Sequence, residues 1–179
     1  MTEYINHPKH YNARKDGLEC IDVIRHYTCD IANAIKYLWR DGLKPELGKM
    51  YAEKTIEDLR KALWYIDDQL YFGIEHDGFA SMSRKHDEDL QEMLWRLTGK
   101  KILDIASYEY YGEHVGRAMY CLLHVGLIND GYVYRTKYAI SVLREARKEI
   151  EIRIEELIKE GLSNDTDLQQ LTASTDGII

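Results

Sequence analysis

An internal repeat constrains this chain more than any other feature. Sliding the 179-residue sequence along itself by 84 positions, without a gap, sets Ile21 on Ile105, Tyr27 on Tyr111, Ala34 on Ala118, Leu38 on Leu122, Gly42 on Gly126 and Leu43 on Leu127. The same offset sets Ile56 on Ile140, Leu59 on Leu143, Arg60 on Arg144, Ala62 on Ala146 and Ile66 on Ile150. Unrelated stretches of about fifty residues would share roughly three identities. A unit that occurs twice in one chain has an obvious partner for its apolar face, namely the other copy.

The unit is helical. Only 2 prolines occur, and Ala, Leu, Ile, Glu, Lys and Arg, for which helix is the cheap conformation, fill most of the rest. Leu18, Ile21, Ile24 and Tyr27 at three-residue steps predict a short helix over 17–27. Asp30 is placed to cap a second, with Ile31, Ala34, Ile35, Leu38 and Trp39 inside and Gly42 as its left-handed terminator. Thr55, with Asp58 three residues on, predicts the start of a third helix burying Ile56, Leu59, Leu63, Ile66 and Leu70. A short helix over 87–97 follows a connection rich in glycine and polar residues. The second copy then predicts helices over 101–110, 113–125 and 137–160. The predicted fold is all-α, a duplicated helical hairpin forming a four-helix-bundle core with short extra helices. Its divisions are 1–70 for the N-terminal loop and first repeat, 71–100 for a linker and short helix, 101–161 for a degenerate second repeat, and 162–179 for a tail expected to be disordered or swapped.

Several classes are excluded at this level. Apolar runs are short and broken by charge, so no membrane span of roughly 20 residues is expected. The opening MTEYINHPKHYN lacks a basic and then apolar leader, which predicts a cytoplasmic protein. A net charge of −7 and a pI near 5.5 argue against stable nucleic-acid binding across the surface and for a small-molecule partner. Cys20, Cys29 and Cys121 show neither a disulfide pattern nor metal spacing. No GxxxxGK[ST] and no GxGxxG occurs, which removes an ordinary P-loop kinase.

The candidate chemistry lies in the first copy. Asn33, Lys36, Tyr37 and Arg40 share the helix face opposite Ile31, Ala34, Ile35 and Leu38, and Asp58, Lys61 and Tyr65 form a like stripe on the next helix. A hairpin brings two such stripes together, offering fixed cations for phosphate, an amide for a base or sugar, and rings for stacking. A solvated helix face explains the same spacing. In the loop, His7, His10, Tyr11 and Asn12 fall within HPKHYN, where two imidazoles can contact phosphate, move a proton or ligate a metal, although two histidines alone do not make a metal site. Glu19 and Asp22 match half of the acidic motif of all-α nucleotide pyrophosphohydrolases, but the preceding half is absent, and no metal site is predicted. At the matching positions the second copy carries Arg117, Tyr120, Cys121 and His124, which suggests that the first copy keeps the site and the second supplies scaffold or a far wall.

Four blocks in order, NHPKHYN, GLECIDVI, NAIKYLWR and EDLRKALWYID, resemble the small phage proteins grouped with the T7-type nucleotide kinase family, long described as a domain of unknown function. The resemblance covers about residues 6–70. It implies a phage enzyme of the host-cell cytoplasm that transfers phosphate from a nucleoside triphosphate, ATP or a deoxynucleotide, to a deoxynucleoside monophosphate. On that basis Lys36, Arg40 and Lys61 hold phosphates and offset transition-state charge, and Asp58 or Glu19 orients or deprotonates the acceptor. His7 and His10 close the loop over phosphate, Tyr11 or Tyr37 stacks on a base, and Asn12, Asn33 and Tyr65 complete the nucleotide contacts. A need for Mg2+ is left open. Two alternatives stand beside the kinase, a non-catalytic protein that sequesters a nucleotide and a metal-dependent nucleotide pyrophosphohydrolase. Long amphipathic helices rich in tyrosine and tryptophan also predict a homo-oligomer.

Overall fold

The computed structural model describes residues 8–12, 14–43, 51–75, 90–125 and 133–175. They contain a 3-10 turn, Lys9–Tyr11, and seven helices: α1 Cys20–Ile24, α2 Cys29–Trp39, α3 Tyr51–Glu75, α4 Leu90–Thr98, α5 Ile102–Ile105, α6 Tyr108–Val125 and α7 Val133–Thr175. No strand occurs among the described residues, and the protein is all-α. None of these helices is long and apolar enough to cross a membrane.

Apolar periodicity places α2 as expected, with Ile31, Ala34, Ile35, Leu38 and Trp39 all buried. Its start differs. Thr28, in an extended conformation, takes the N-cap position, and Asp30 falls in the first turn, where its charge favours the helix N-terminus. At the other end Gly42 has a φ of +66°, and an added Cβ would lie 1.8 Å from the Tyr51 hydroxyl, so both backbone and space call for glycine. The third helix begins at Tyr51 rather than after Thr55, whose hydroxyl donates to the Tyr51 carbonyl at 2.9 Å within the helix. Ala52, Glu53 and Lys54 are good helix formers, and no breaker separates them from Thr55.

Three other spans change in length. The first helix shrinks to Cys20–Ile24, because Gly17 sits at a φ of +75° and Thr28 already serves the next helix. The expected helix over 101–110 is the four-residue α5 followed by the first turns of α6, which breaks at Gly112 with a φ of 70°. The expected helix over 137–160 extends in both directions, and the tail expected to be disordered or swapped is helix as far as Thr175. Neither proline nor glycine interrupts the chain from Leu162 to Thr175, so nothing in the backbone stops it.

Helices α2 and α3 pair, α6 and α7 pair, and α3 packs on α7 and α2 on α6, which makes a four-helix bundle. Arg40 meets Asp58 and Tyr37 meets Tyr65, so the first hairpin is antiparallel. Positions 84 apart are buried alike: Ala34 and Ala118, Leu38 and Leu122, Leu59 and Leu143, Ala62 and Ala146, and Ile66 and Ile150 are all fully buried. The offset fails before the bundle helices. Ile21 is 49 % exposed where Ile105 is wholly buried, whereas Cys20 with Ile102, Val23 with Ile105, and exposed Ile21 with exposed Leu103 agree at an offset of 82. Helix starts follow this second offset, since Asp22 accepts from the Glu19 N–H at 3.4 Å and Asp104 accepts from the Lys101 N–H at 3.0 Å. The two short helices are thus equivalent, and two extra residues lie between the second of them and its bundle helix.

Arg14 ties the N-terminal segment to the second copy. Its guanidinium donates to the Ile105 and Asp104 carbonyls at 2.6 and 3.0 Å, pairs with Asp16 at 2.8 Å, and lies 4.1 Å from the centre of the Tyr110 ring. Burial opposes its charge, but the bonds to Asp16 outweigh this and its pKa stays raised.

Candidate functional site

Polar groups of α2, α3 and the 3-10 turn converge on one buried carboxylate. Asp58 Oδ1 accepts from Arg40 Nη2 at 2.8 Å and from Lys54 Nζ at 3.0 Å, and Lys61 Nζ stands 3.7 Å away. Lys54 also donates to Glu57 at 3.1 Å, and Lys61 pairs with Glu57. The second amino group of Arg40 donates to the Tyr11 hydroxyl at 3.0 Å, while the Trp39 indole N–H holds the Tyr11 carbonyl at 3.0 Å. Arg40, Lys54 and Asp58 are all buried. Burying three ions is costly unless they pair, and their helical register provides the pairing.

Tyr37 lies at the outer edge of this cluster. Its ring centre is 4.5 Å from the Arg40 guanidinium carbon, 5.0 Å from Lys36 Nζ and 5.8 Å from Lys61 Nζ, and it stacks on Tyr65 at 5.9 Å. A ring face among three cations is a favourable arrangement. Lys36 donates to Asn33 at 2.5 Å, and Asn33 donates to the Cys29 carbonyl at 2.8 Å. Trp64, 59 % exposed, packs edge-on to Tyr65 at 4.9 Å.

Electrostatics follow from this packing. Burial raises the Tyr11 hydroxyl despite the opposing charge of Arg40, so it stays protonated at neutral pH. Burial opposes the Arg40 charge, but the hydrogen bond to Asp58 prevails and its pKa is raised. Cys20, close enough to feel Lys36 and Arg40, is pushed up to about 12 by burial and is an inert thiol. One donor is left over: Arg40 Nε is shielded from solvent and has no acceptor among the described residues.

The geometry therefore brings together Asn33, Lys36, Tyr37, Arg40, Asp58, Lys61 and Tyr65, the residues of the two stripes, with Tyr11 of the loop. His10 packs on Tyr11 with ring centres 4.3 Å apart, Asn12 follows the turn, and Glu19 stands at the start of α1, next to Cys20. His7 lies outside the described residues, as do the dipeptides His76-Asp77 and His86-Asp87. Sequence reasoning missed Lys54 and Glu57. Both sit on the Asp58 side of α3, one turn and one residue before it, and the helix start set at Thr55 hid Lys54. Among the described residues, no three His, Cys, Asp or Glu side chains gather in a way that would hold a metal ion.

A family described as protein of unknown function (DUF3310) matches residues 5–67, about a third of the chain. The stretch includes the 3-10 turn, α1, α2 and the part of α3 that carries the cluster. No curated protein and no solved structure matches the chain. This corrects the resemblance to a nucleotide kinase family: the family that matches has no known function, and nothing found by comparison points to a kinase.

Proposed function

We propose that the cluster on α2 and α3 is a nucleotide-binding site and that the protein captures a nucleoside triphosphate, ATP or a deoxynucleotide, without turning it over. The observation that carries this reading is charge. Within a chain of net charge −7, Lys36, Arg40, Lys54 and Lys61 gather, among the described residues, around Glu57, Asp58 and the face of Tyr37. Such a local excess attracts an anion most strongly where the cations are held and partly desolvated. Lys36 and Lys61, half-exposed at the rim, meet the phosphates. The base lies against the Trp64 and Tyr65 rings, which supply stacking without strong base selectivity. The shielded Arg40 Nε offers a further donor to an oxygen that reaches it.

Capture is favoured over transfer because, among the described residues, both carboxylates of the cluster are engaged by cations, Glu57 by Lys54 and Lys61. Asp58 is buried beneath the lysines, and its charge is shared among three cations. Equilibrium titration with ATP and each deoxynucleotide, with and without Mg2+, followed by chromatography of the nucleotides, tests the reading. The expected result is saturable binding of intact nucleotide that weakens with salt and falls about tenfold or more in Lys36→Ala/Lys61→Ala, as for loss of charge-assisted bonds. Absence of saturable binding overturns it, and formation of a diphosphate or release of pyrophosphate replaces capture with catalysis.

A further inference from the structure

A cavity of about 560 Å³ opens on the second hairpin, at the place that corresponds to the cluster on the first. Beyond the Gly112 break in α6, the residues that line it from α6 and α7 are Arg117, Tyr120, Cys121, Glu145 and Glu149. Subtracting 84 from each gives Asn33, Lys36, Tyr37, Lys61 and Tyr65, the outer residues of the first-copy cluster. One surface has thus been kept and refitted. Where the first copy fills the space with the stacked rings of Tyr37 and Tyr65, the second has the small Cys121 and a carboxylate, so a ring-sized volume is vacated. The volume suits a small organic molecule.

The charge has reversed with the shape. Lys61 is replaced by Glu145, Lys36 by Tyr120 and Tyr65 by Glu149, and Glu109 adds a third carboxylate to the lining, against the single cation Arg117. Glu149 is buried, with His114 Nδ1 2.6 Å from Oε2 and Arg117 3.5 Å from Oε1. Aromatic and apolar walls complete the pocket. Tyr120 stacks on His124, and Tyr108 lies so close to Gly116 that an added Cβ there would meet its ring at 2.4 Å. Burial, and then Glu145 and Glu149, push the Cys121 thiol up to about 11, as expected beside negative charge.

We propose that this second-hairpin cavity binds a small organic cation, an ammonium or guanidinium group carried on an aromatic or short aliphatic body. The charged group pairs with Glu149 and Glu145, and the body lies between Tyr108, Tyr120 and Leu103, where ring faces add cation–π attraction. The site is independent of the nucleotide reading, because it shares no side chain with the first cluster.

Calorimetric titration of the full chain with tyramine, p-cresol and 4-hydroxyphenylacetate tests it, since the three share a ring and differ in charge. Tyramine is expected to bind saturably, about tenfold or more tighter than p-cresol, as for one charge-assisted bond, and the carboxylate not at all. Glu149→Gln and Glu145→Gln should each weaken tyramine. Cys121→Tyr, which restores the ring the first copy carries, should abolish binding while the bundle stays folded. Equal affinity for the three compounds, no saturable heat with tyramine, or tyramine binding retained in Cys121→Tyr would overturn the proposal.

Discussion

The two hairpins bury the same apolar positions and differ at their polar faces. Arg40, Lys54 and Asp58 form an ionic core beneath the first surface, and at the matching places the second copy has His124, Tyr138 and Val142, with the His124 ring 6.3 Å from that of Tyr138. One backbone thus accepts either a buried salt-bridge network or an aromatic contact. The ionic version is not required by the fold, and its retention in one copy points to a task at that surface.

The largest expected effect tests this directly. Asp58→Val alone leaves Arg40 and Lys54 buried without their shared anion and should destabilise the chain by about 3–5 kcal/mol in denaturant unfolding. The triple change Arg40→His, Lys54→Tyr, Asp58→Val copies the second hairpin and should recover most of that loss. If the triple variant is no more stable than the single one, the two hairpins are not interchangeable at this level.

A second difference is Asp41, which stands where the second copy buries Val125. Burial raises the Asp41 carboxyl to about 6, Arg153 opposing and Asp58 adding to the rise, and its Oδ1 has no partner among the described residues. The folded state therefore holds this proton more tightly than the unfolded chain does. Its contribution is fully favourable below about pH 4 and is lost as pH rises through about 6. Asp41→Asn should be more stable than the unaltered chain at pH 8, by up to roughly 3 kcal/mol from the linkage, and no more stable at pH 4. Thermal unfolding at the two pH values decides, and a gain that is independent of pH would remove the carboxyl as its cause.

Smaller effects belong to the contacts at the second surface. Gly116→Ala displaces the Tyr108 ring and should cost about 1–3 kcal/mol, the range for overpacking, while altering the cavity and leaving the first cluster intact. An equal loss of nucleotide affinity in this variant would mean that the two surfaces communicate.

Much of the bundle was legible because burial follows periodicity: each of Ile31, Ala34, Ile35, Leu38 and Trp39 lies on the predicted face. The repeat was legible for the same reason, since Ala, Leu and Ile at helix-packing positions tolerate little change. The convergence of Arg40 on Asp58 could be foreseen from two stripes and one hairpin. Lys54 could not, because Thr55 has the chemistry of a cap and only the helix observed before it places the lysine one turn from Asp58. The shift from an offset of 84 to one of 82 was masked by the chance pairing of Ile21 with Ile105. Arg14 was illegible in a stronger sense, since its carbonyl partners lie some ninety residues away and no local pattern announces them. The cavity was visible in sequence only as the replacement of Tyr37 by Cys121, and its meaning depends on what surrounds the missing ring.

The most direct test of the central claim, that the first surface and not the second holds the nucleotide, is the stoichiometry and affinity of ATP binding measured side by side in Lys36→Ala/Lys61→Ala and in Glu145→Gln/Glu149→Gln. One nucleotide per chain, lost in the first variant and retained in the second, is the predicted result. Binding that survives the lysine changes, or that is lost with the glutamates, would contradict it.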